Sequence, residues 1–447
     1  MRAINCGILI PLLSLAAFAQ TPLSLKEAVR MGLERHPSVE AAAAGAAAAD
    51  TKIRQAHSGY LPQVNYQESF ARSDNPVFVF SSLLTQHQFT EQNFAIGPLN
   101  RPDFINNFQS VVSVDQTVYD GGQVKNRKRS AEFGKRIAEE QARLNDMQVI
   151  AGVVRAYYGA VLAAESLAVA EEAVKSAEAD RDRAVTVRDA GMATDADVLS
   201  IEVHLANVRE QRIRRSHDLD IARSALNEAL GLPLDTQHDL TTPLNALDLA
   251  ETAVAEYEGR AVAERPELQQ AGYAANLAET QGKLARAGYW PQVSVRAAFE
   301  ADRQEFVNKG GANWYFGATM RWNLFNGFAT KEQVREAAHA QRGAEAEKRR
   351  AEAGIRLQVR QAHAHLQSAK ERIEVATAAV TQAEESLRIT KNRYEAGLNT
   401  VTDLLRNETA LLEAKTRRLA AVYDQRVAAV MLTLATGVLS TDSEVLN

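Results

Sequence analysis

The chain has 447 residues, of which 46% are hydrophobic and 24% charged, with 56 acidic against 51 lysine and arginine side chains and a formal net charge of −5. This balance excludes a basic nucleic-acid-binding surface and leaves ample material for a packed core. A single cysteine, Cys6, excludes a disulfide framework and a cysteine metal site.

The chain opens with Arg2, an apolar run to Leu15 and the triplet Ala17-Phe18-Ala19. That is the pattern of a secretory leader with an Ala-x-Ala site, so 1–19 is expected to be removed, leaving Gln20 first. The run is too short to span a bilayer, and Cys6 lies inside it. No other segment approaches the eighteen or so apolar residues of a membrane helix. Any further entry into a membrane is therefore expected as strands.

Next come Leu23-Ser24-Leu25-Lys26-Glu27, whose Ser24-x-x-Glu27 is a capping box. A strand is expected over about 61–72, where Val64, Tyr66 and Phe70 alternate with Gln63, Asn65, Gln67 and Ser69. The stretch 73–107, with Pro76, Pro98 and Pro102, reads as a long loop outside the cell, followed by a second strand over about 108–119. Proline is then absent until Pro233, and Ala, Glu, Gln, Arg and Leu dominate. A helix from Gln123 to Asp189 would be roughly 100 Å long. After the turn at Ala190-Gly191-Met192, Val198, Ile201, Leu205 and Val208 follow 3-4-3 spacing, a coiled-coil seam. Two further strands are expected over about 291–301 and 314–325. In the last, Trp314, Phe316, Ala318, Met320, Trp322 and Leu324 alternate with Tyr315, Gly317, Thr319, Arg321 and Asn323. Its length suits a tilted membrane strand, and Trp314 and Trp322 suit the two interfaces. A helix from Phe328 to Glu395 and a seam of Leu405, Leu412 and Leu419 complete the chain.

These elements occur twice. Gly59-Tyr60-Leu61-Pro62-Gln63-Val64 returns as Gly288-Tyr289-Trp290-Pro291-Gln292-Val293, an offset of 288 − 59 = 229. Ala190-Gly191 with Asp197 returns as Ala396-Gly397 with Asp403, and Gly231 as Gly437, offsets of 397 − 191 = 206 and 437 − 231 = 206. Two structural halves follow, 20–232 and 233–447, each with a helix, a β-hairpin and a long helix pair. The first carries 229 − 206 = 23 additional residues between its strands. Four strands cannot close a barrel, because outer-membrane barrels begin at about eight. Three chains sharing one barrel would supply twelve.

No phosphate loop, zinc-protease motif or dinucleotide fingerprint is present, so neither an enzyme nor a cofactor is expected. His363 and His365 are two apart on a helix and point to different faces, which does not suit a metal site.

The order, duplication and spacing of these motifs resemble the TolC-like outer membrane efflux proteins over essentially the whole exported chain. The resemblance covers Leu23 through His36-Pro37, both Gly-x-x-Pro-Gln-Val segments, the turns Asp120-Gly121-Gly122 and Asn326-Gly327, and both Ala-Gly…Asp turns. It implies a mainly α chain with a membrane β-hairpin pair, assembled as a homotrimer. A twelve-stranded β-barrel in the outer membrane would continue into a long α-helical barrel in the periplasm. The implied partners are a periplasmic adaptor, an inner-membrane transporter reached directly or through it, and outer membrane lipid. The chain itself would be a passive exit duct for small molecules. The sharp turns would form the periplasmic aperture, with Asp197, Asp403 and Tyr394 matching family positions. Asn399 stands where the family has an arginine, and Arg406 where it has a second acid. Plain helix capping by Asp197 and Asp403 is the other reading. Gly191, Met192, Val198, Gly397, Leu398, Val401 and Leu404 are the adaptor-docking candidates, or else staples of the hairpins. The alternatives are a duct for type I protein secretion or metal efflux, and, in another class, a soluble periplasmic coiled-coil scaffold.

Overall fold

The computed structural model describes residues 21–446 apart from 249, 251, 308 and 309. The expected leader, 1–19, lies outside them. In chain order the elements are β1 (Thr21–Leu23), α1 (Leu25–Arg35), α2 (Pro37–His57), β2 (Gln63–Ser73), α3 (Pro76–Thr85), α4 (Ile96–Asn100), β3 (Ile105–Tyr119), α5 (Gln123–Asp189), α6 (Asp195–Ala229), β4 (His238–Leu240), α7 (Val254–Glu264), α8 (Pro266–Ala287), β5 (Gln292–Arg303), β6 (Gly311–Arg321), α9 (Ala329–Glu395) and α10 (Val401–Ala435). The duplication holds to the residue in the helices: α5 and α9 have 67 residues each, α6 and α10 have 35 each. The stretch between β2 and β3 is not bare loop, since α3 and α4 occupy about half of it.

Two compact units are present, and they are not the two repeats. One takes the chain up to Ala41, Arg143–Pro266 and everything from Ala353 on; the other takes Ala42–Ala142 and Glu267–Glu352. Each unit thus draws matching pieces from both halves, and α5 and α9 contribute to both.

The second unit holds a four-stranded antiparallel sheet in the order β2-β3-β5-β6. Its register sorts the side chains by polarity. Tyr66, Val112, Phe299 and Trp314 are mutual neighbours across the strands, as are Val64, Val114, Ala297 and Phe316. The opposite face aligns Gln67, Val111, Glu300 and Asn313, and Gln63, Asp115, Arg296 and Gly317. Period-two alternation therefore yields one apolar and one largely polar face. An acid on the apolar face, Glu68, is neutralised there: Arg303 Nη2 lies 2.8 Å from it, and the Tyr66 hydroxyl donates to it at 2.7 Å.

The last strand is shorter than its alternation. It stops at Arg321, paired with Gln292, and Trp322–Phe325 leave the ladder. Pro291 precedes Gln292 and has no N–H to continue the pairing. Trp322 instead donates its indole N–H to the Tyr289 carbonyl at 3.1 Å.

The first unit is built on α5. This helix contains a window apolar enough to cross a membrane, contrary to the expectation that none exists beyond the leader. Of that window 56% is buried inside the protein, and Met147, Ile150, Val153, Val154, Tyr157 and Tyr158 are all buried along α5. It is a core helix. Tyr157 and Tyr158 meet edge to face at 5.8 Å. The Tyr157 hydroxyl donates to the Leu23 carbonyl and accepts from the Thr242 amide, both at 2.9 Å, holding the short β1–β4 pair.

The repeats recur in close approaches. Gly231 follows α6 at φ +68°, and a Cβ there would lie 2.6 Å from the Arg35 carbonyl oxygen. Gly437 follows α10 at φ +78°, with Arg265 Cα 2.7 Å from the same imagined atom. Only glycine satisfies both the left-handed backbone and the contact. Gly231→Val is expected to destabilise the protein by about 1–3 kcal/mol, read as a lower denaturant midpoint in detergent. Gly134→Ala, inside α5 with nothing within 4 Å of the added Cβ, is expected to stabilise by about 0.5–1 kcal/mol.

Candidate functional site

The turns joining α5 to α6 and α9 to α10 hold the residues that sequence reasoning singled out. Both begin with a left-handed glycine, Gly191 at φ +78° and Gly397 at φ +73°. The amide after each reaches back over the helix end: Met192 N to Val187 O at 3.0 Å, Leu398 N to Arg393 O at 2.8 Å. This is the Schellman arrangement, which satisfies the last carbonyls.

Both returning helices then start with the same capping box. Asp197 N donates to Thr194 Oγ1 at 3.2 Å, while Asp197 Oδ2 accepts from Thr194 N at 3.0 Å and Thr194 Oγ1 at 2.8 Å. Asp403 repeats this with Thr400 at 3.3, 3.4 and 2.8 Å. Asp197 and Asp403 therefore both cap helices, and the helix dipole favours their charge. The Thr400 hydroxyl, then its backbone, and to a lesser extent Arg406 hold the Asp403 carboxyl below the usual range.

Beneath the turns Ala184, Val198, Ile201 and Val401 form a buried cluster, with Val185, Tyr394 and Leu405 packed against it. Leu404 is also buried. Val198, Val401 and Leu404 are thus buried as staples of the hairpins; apolar side chains at these helix starts have only the neighbouring hairpin to bury against. Met192 and Leu398 are exposed, and so is Leu199 beside them. Tyr394 is half-buried; burial, then the negative charges of Asp197 and Asp180, push its phenol up. Asn399 is half-buried and Arg406 exposed. Trp314 stands exposed on the apolar face of the sheet, in the other unit.

Sequence reasoning also missed a set of buried charges between the two helix pairs. Asp180, Lys391, Glu408 and His204 come together from α5, α9, α10 and α6. A signal existed: Ala170, Ala173, Ala177, Asp180 and Ala184 keep 3-4 spacing, so Asp180 sits on an otherwise apolar seam. Among the described residues no group of three or more His, Cys, Asp or Glu side chains could hold a metal ion.

A family model described as "Outer membrane efflux protein" matches residues 28–232 and 259–438. Alkaline protease secretion protein AprF of Pseudomonas aeruginosa is 23% identical over 438 residues, covering 97% of this chain and 88% of the relative. Outer membrane efflux protein BepC of Brucella suis is 21% identical over 437 residues, 96% and 87% of the two chains. Among solved structures, the CmeC outer membrane channel of Campylobacter jejuni superposes with a TM-score of 0.78 at 15% identity, covering 99% of this chain and 96% of that one. CusC superposes at 0.78 with 18% identity and 95% of each chain.

Thr194→Ala and Thr400→Ala are each expected to cost about 1 kcal/mol. Hydrogen exchange should show faster opening confined to the first turn of α6 or of α10, and Thr→Ser at either position should restore protection.

Proposed function

The chain belongs to the outer membrane efflux protein family, and from that membership we propose that it works as a homotrimer whose three sheets close one barrel. It is an outer membrane efflux channel of a tripartite system. The observation that carries the trimer is the sheet itself. With the order β2-β3-β5-β6, β2 and β6 each keep one edge unpaired among the described residues, while one face is apolar. Lipid offers no partners for those edge groups. Copies of the same chain supply them, and three give twelve strands.

The helices support self-association as well. Leu199, Val203, Ile213 and Ile221 are exposed on α6, and Leu357, Val375 and Ile389 on α9. Around a threefold axis the turns of the helix pairs would ring the aperture. Asp197 and Asp403 would then serve as caps and as a source of negative potential at once, with Tyr394 and Asn399 beside them. Arg406, three residues from Asp403, would offset part of that potential. Gly191, Gly397, Met192 and Leu398 would meet the periplasmic adaptor, which joins the duct to an inner-membrane transporter. Trp314 and Trp322 would sit at the two lipid–water boundaries. On this reading the chain performs no catalysis, and its cargo is small molecules chosen by the transporter. The similarity to a protease secretion protein over nearly the whole chain favours protein export as the second reading.

The detergent-extracted protein is expected to have the mass of three chains and to give discrete conductance steps in a planar bilayer. A water-soluble, non-conducting protein would overturn the channel. Asp403→Ala should raise open conductance if the carboxylate gates, and should only lower stability if it caps alone. Val203→Glu with Ile221→Glu should reduce the trimer fraction at least about tenfold, equivalent to about 1.4 kcal/mol, measured by native mass spectrometry.

A further inference from the structure

Asp180 on α5 is 3% exposed and Glu408 on α10 is 8% exposed in their side chains. Buried carboxyls in an apolar seam need partners, and each partner here comes from across the two hairpins. Lys391 Nζ on α9 lies 2.9 Å from Asp180 Oδ1. Ser176 Oγ on α5 donates to Glu408 Oε1 at 3.1 Å and lies 3.5 Å from Asp180 Oδ2. His204 Nε2 on α6 is 3.3 Å from Glu408 Oε2, which has no hydrogen-bond partner. The two carboxyls also interact directly. Tyr394 on α9 feels the Asp180 charge. A cavity of about 140 Å³ opens beside the group, with Glu172 and Lys415 in its wall, themselves paired at 3.0 Å.

We propose that Asp180, Glu408, Lys391 and His204 form a proton-dependent latch tying the α5–α6 hairpin to the α9–α10 hairpin, tight when the two carboxyls share one proton and loosened when that proton leaves. Its bearing on transport rests on the duct reading above; the latch itself does not. With both acids ionised and the His204 imidazole neutral, the cluster holds two negative charges against the one ammonium of Lys391. A single proton balances it and supplies a donor where an acceptor stands unfilled. Burial, then the Glu408 carboxyl, push Asp180 up to about 6. Burial also works to raise Glu408, but His204, Asp180 and Ser176 outweigh it and hold that carboxyl below its ordinary value. Burial and the neighbouring groups thus favour the proton on Asp180 over Glu408.

The sign follows. An acid whose pKa is higher in the packed state favours packing while it is protonated, and this advantage fades as the pH rises from the ordinary carboxyl value to about 6. The shift spans roughly two pH units above an ordinary carboxyl near 3.9, so the packed-to-loosened ratio falls by about a hundredfold across the window. Separating the hairpins breaks the Lys391–Asp180 and Ser176–Glu408 contacts together.

The test places spin labels at Glu202→Cys on α6 and Thr402→Cys on α10, both exposed, with Cys6→Ser in the full-length chain. Distances are measured in detergent from about pH 3.5 to about pH 7.5, a range that runs from below the ordinary carboxyl value to above the raised one. The wild type is expected to show a narrow distance at acid pH that broadens with a midpoint near 6. Asp180→Asn should keep the narrow distance throughout, and Lys391→Gln should move the midpoint upward, because the ammonium favours the ionised acid. His204→Gln should retain a transition. A pH-independent distance in the wild type overturns the latch, as does a transition that survives in Asp180→Asn or a midpoint unmoved by Lys391→Gln. Loss of the transition in His204→Gln alone would overturn it in favour of the imidazole. Failure of the bilayer conductance steps would sink the duct and leave these distances to stand or fall by themselves.

Discussion

A backbone amide or carbonyl in hydrocarbon has no water to bond, and each one left unpaired costs several kcal/mol. That constraint governs this protein. β2 and β6 are the edges of the sheet, eleven residues each, and no other strand among the described residues pairs with their free sides. A sheet with an apolar face and two open edges is stable in lipid only as part of a larger closed one. The strand ends obey the same logic: β2 and β5 both begin immediately after a proline, Pro62 and Pro291, where the ladder loses a donor. At that end of the sheet the chain turns into helix, which satisfies its own backbone. The Glu68–Arg303 pair on the apolar face is the same rule applied to side chains, since neither charge is left alone.

Duplication meets this constraint with few distinct parts. Each half supplies one hairpin and one long helix pair, and the compact units combine the corresponding pieces of both. The correspondence reaches single atoms. Gly231 lies against Arg35 and His36 just before Pro37, and Gly437 against Glu264 and Arg265 just before Pro266. Both places are a helix end meeting a break between two helices, where a side chain would force the backbones apart. The additional residues of the first half fall between β2 and β3, where α3 and α4 form a small cap of their own. An insertion there disturbs neither the ladder nor the helix pairs, because a hairpin loop adds length outside the repeating contacts.

Much of this was legible because its signals are local. The proline-free runs marked α5 and α9, and the aspartate after each Gly turn marked a helix start, though not its threonine partner. The alternation from Trp314 onward marked a strand, but not its end, because Trp322 and Leu324 continue the pattern after the ladder has stopped. The end is set by Pro291 just before the partner strand, which no window around Trp322 contains. Which apolar side chains of the turns stay exposed was harder still. Met192 and Val198 look alike in sequence, yet one is exposed and the other buried, because only the second lies on the side of α6 that faces α10. The apolar window of α5 was underrated because alanine, glycine and tyrosine dilute it; what they provide is close helix packing around Tyr157 and Tyr158. The buried charges were overlooked for the opposite reason. Charged residues are abundant on these helices, and only their place in the 3-4 spacing separates Asp180 from its solvated neighbours.

Two kinds of carboxylate therefore meet in the same few turns of helix. Asp197 and Asp403 lie where dipole, hydroxyl and amide all favour the charge, so they stabilise the fold whatever else they do. Asp180 and Glu408 lie where burial opposes it. Alanine or leucine at those seam positions would pack a more stable coiled coil, since a buried ion pair seldom repays its own desolvation. What polar residues in a seam provide is discrimination among packings. Here Lys391 meets one carboxyl and His204 faces the other, so the contacts between the α5–α6 and α9–α10 hairpins favour this register. On the proposed latch, such a contact must be specific and yet weak enough to release. A charged cluster that is one proton away from balance meets both conditions.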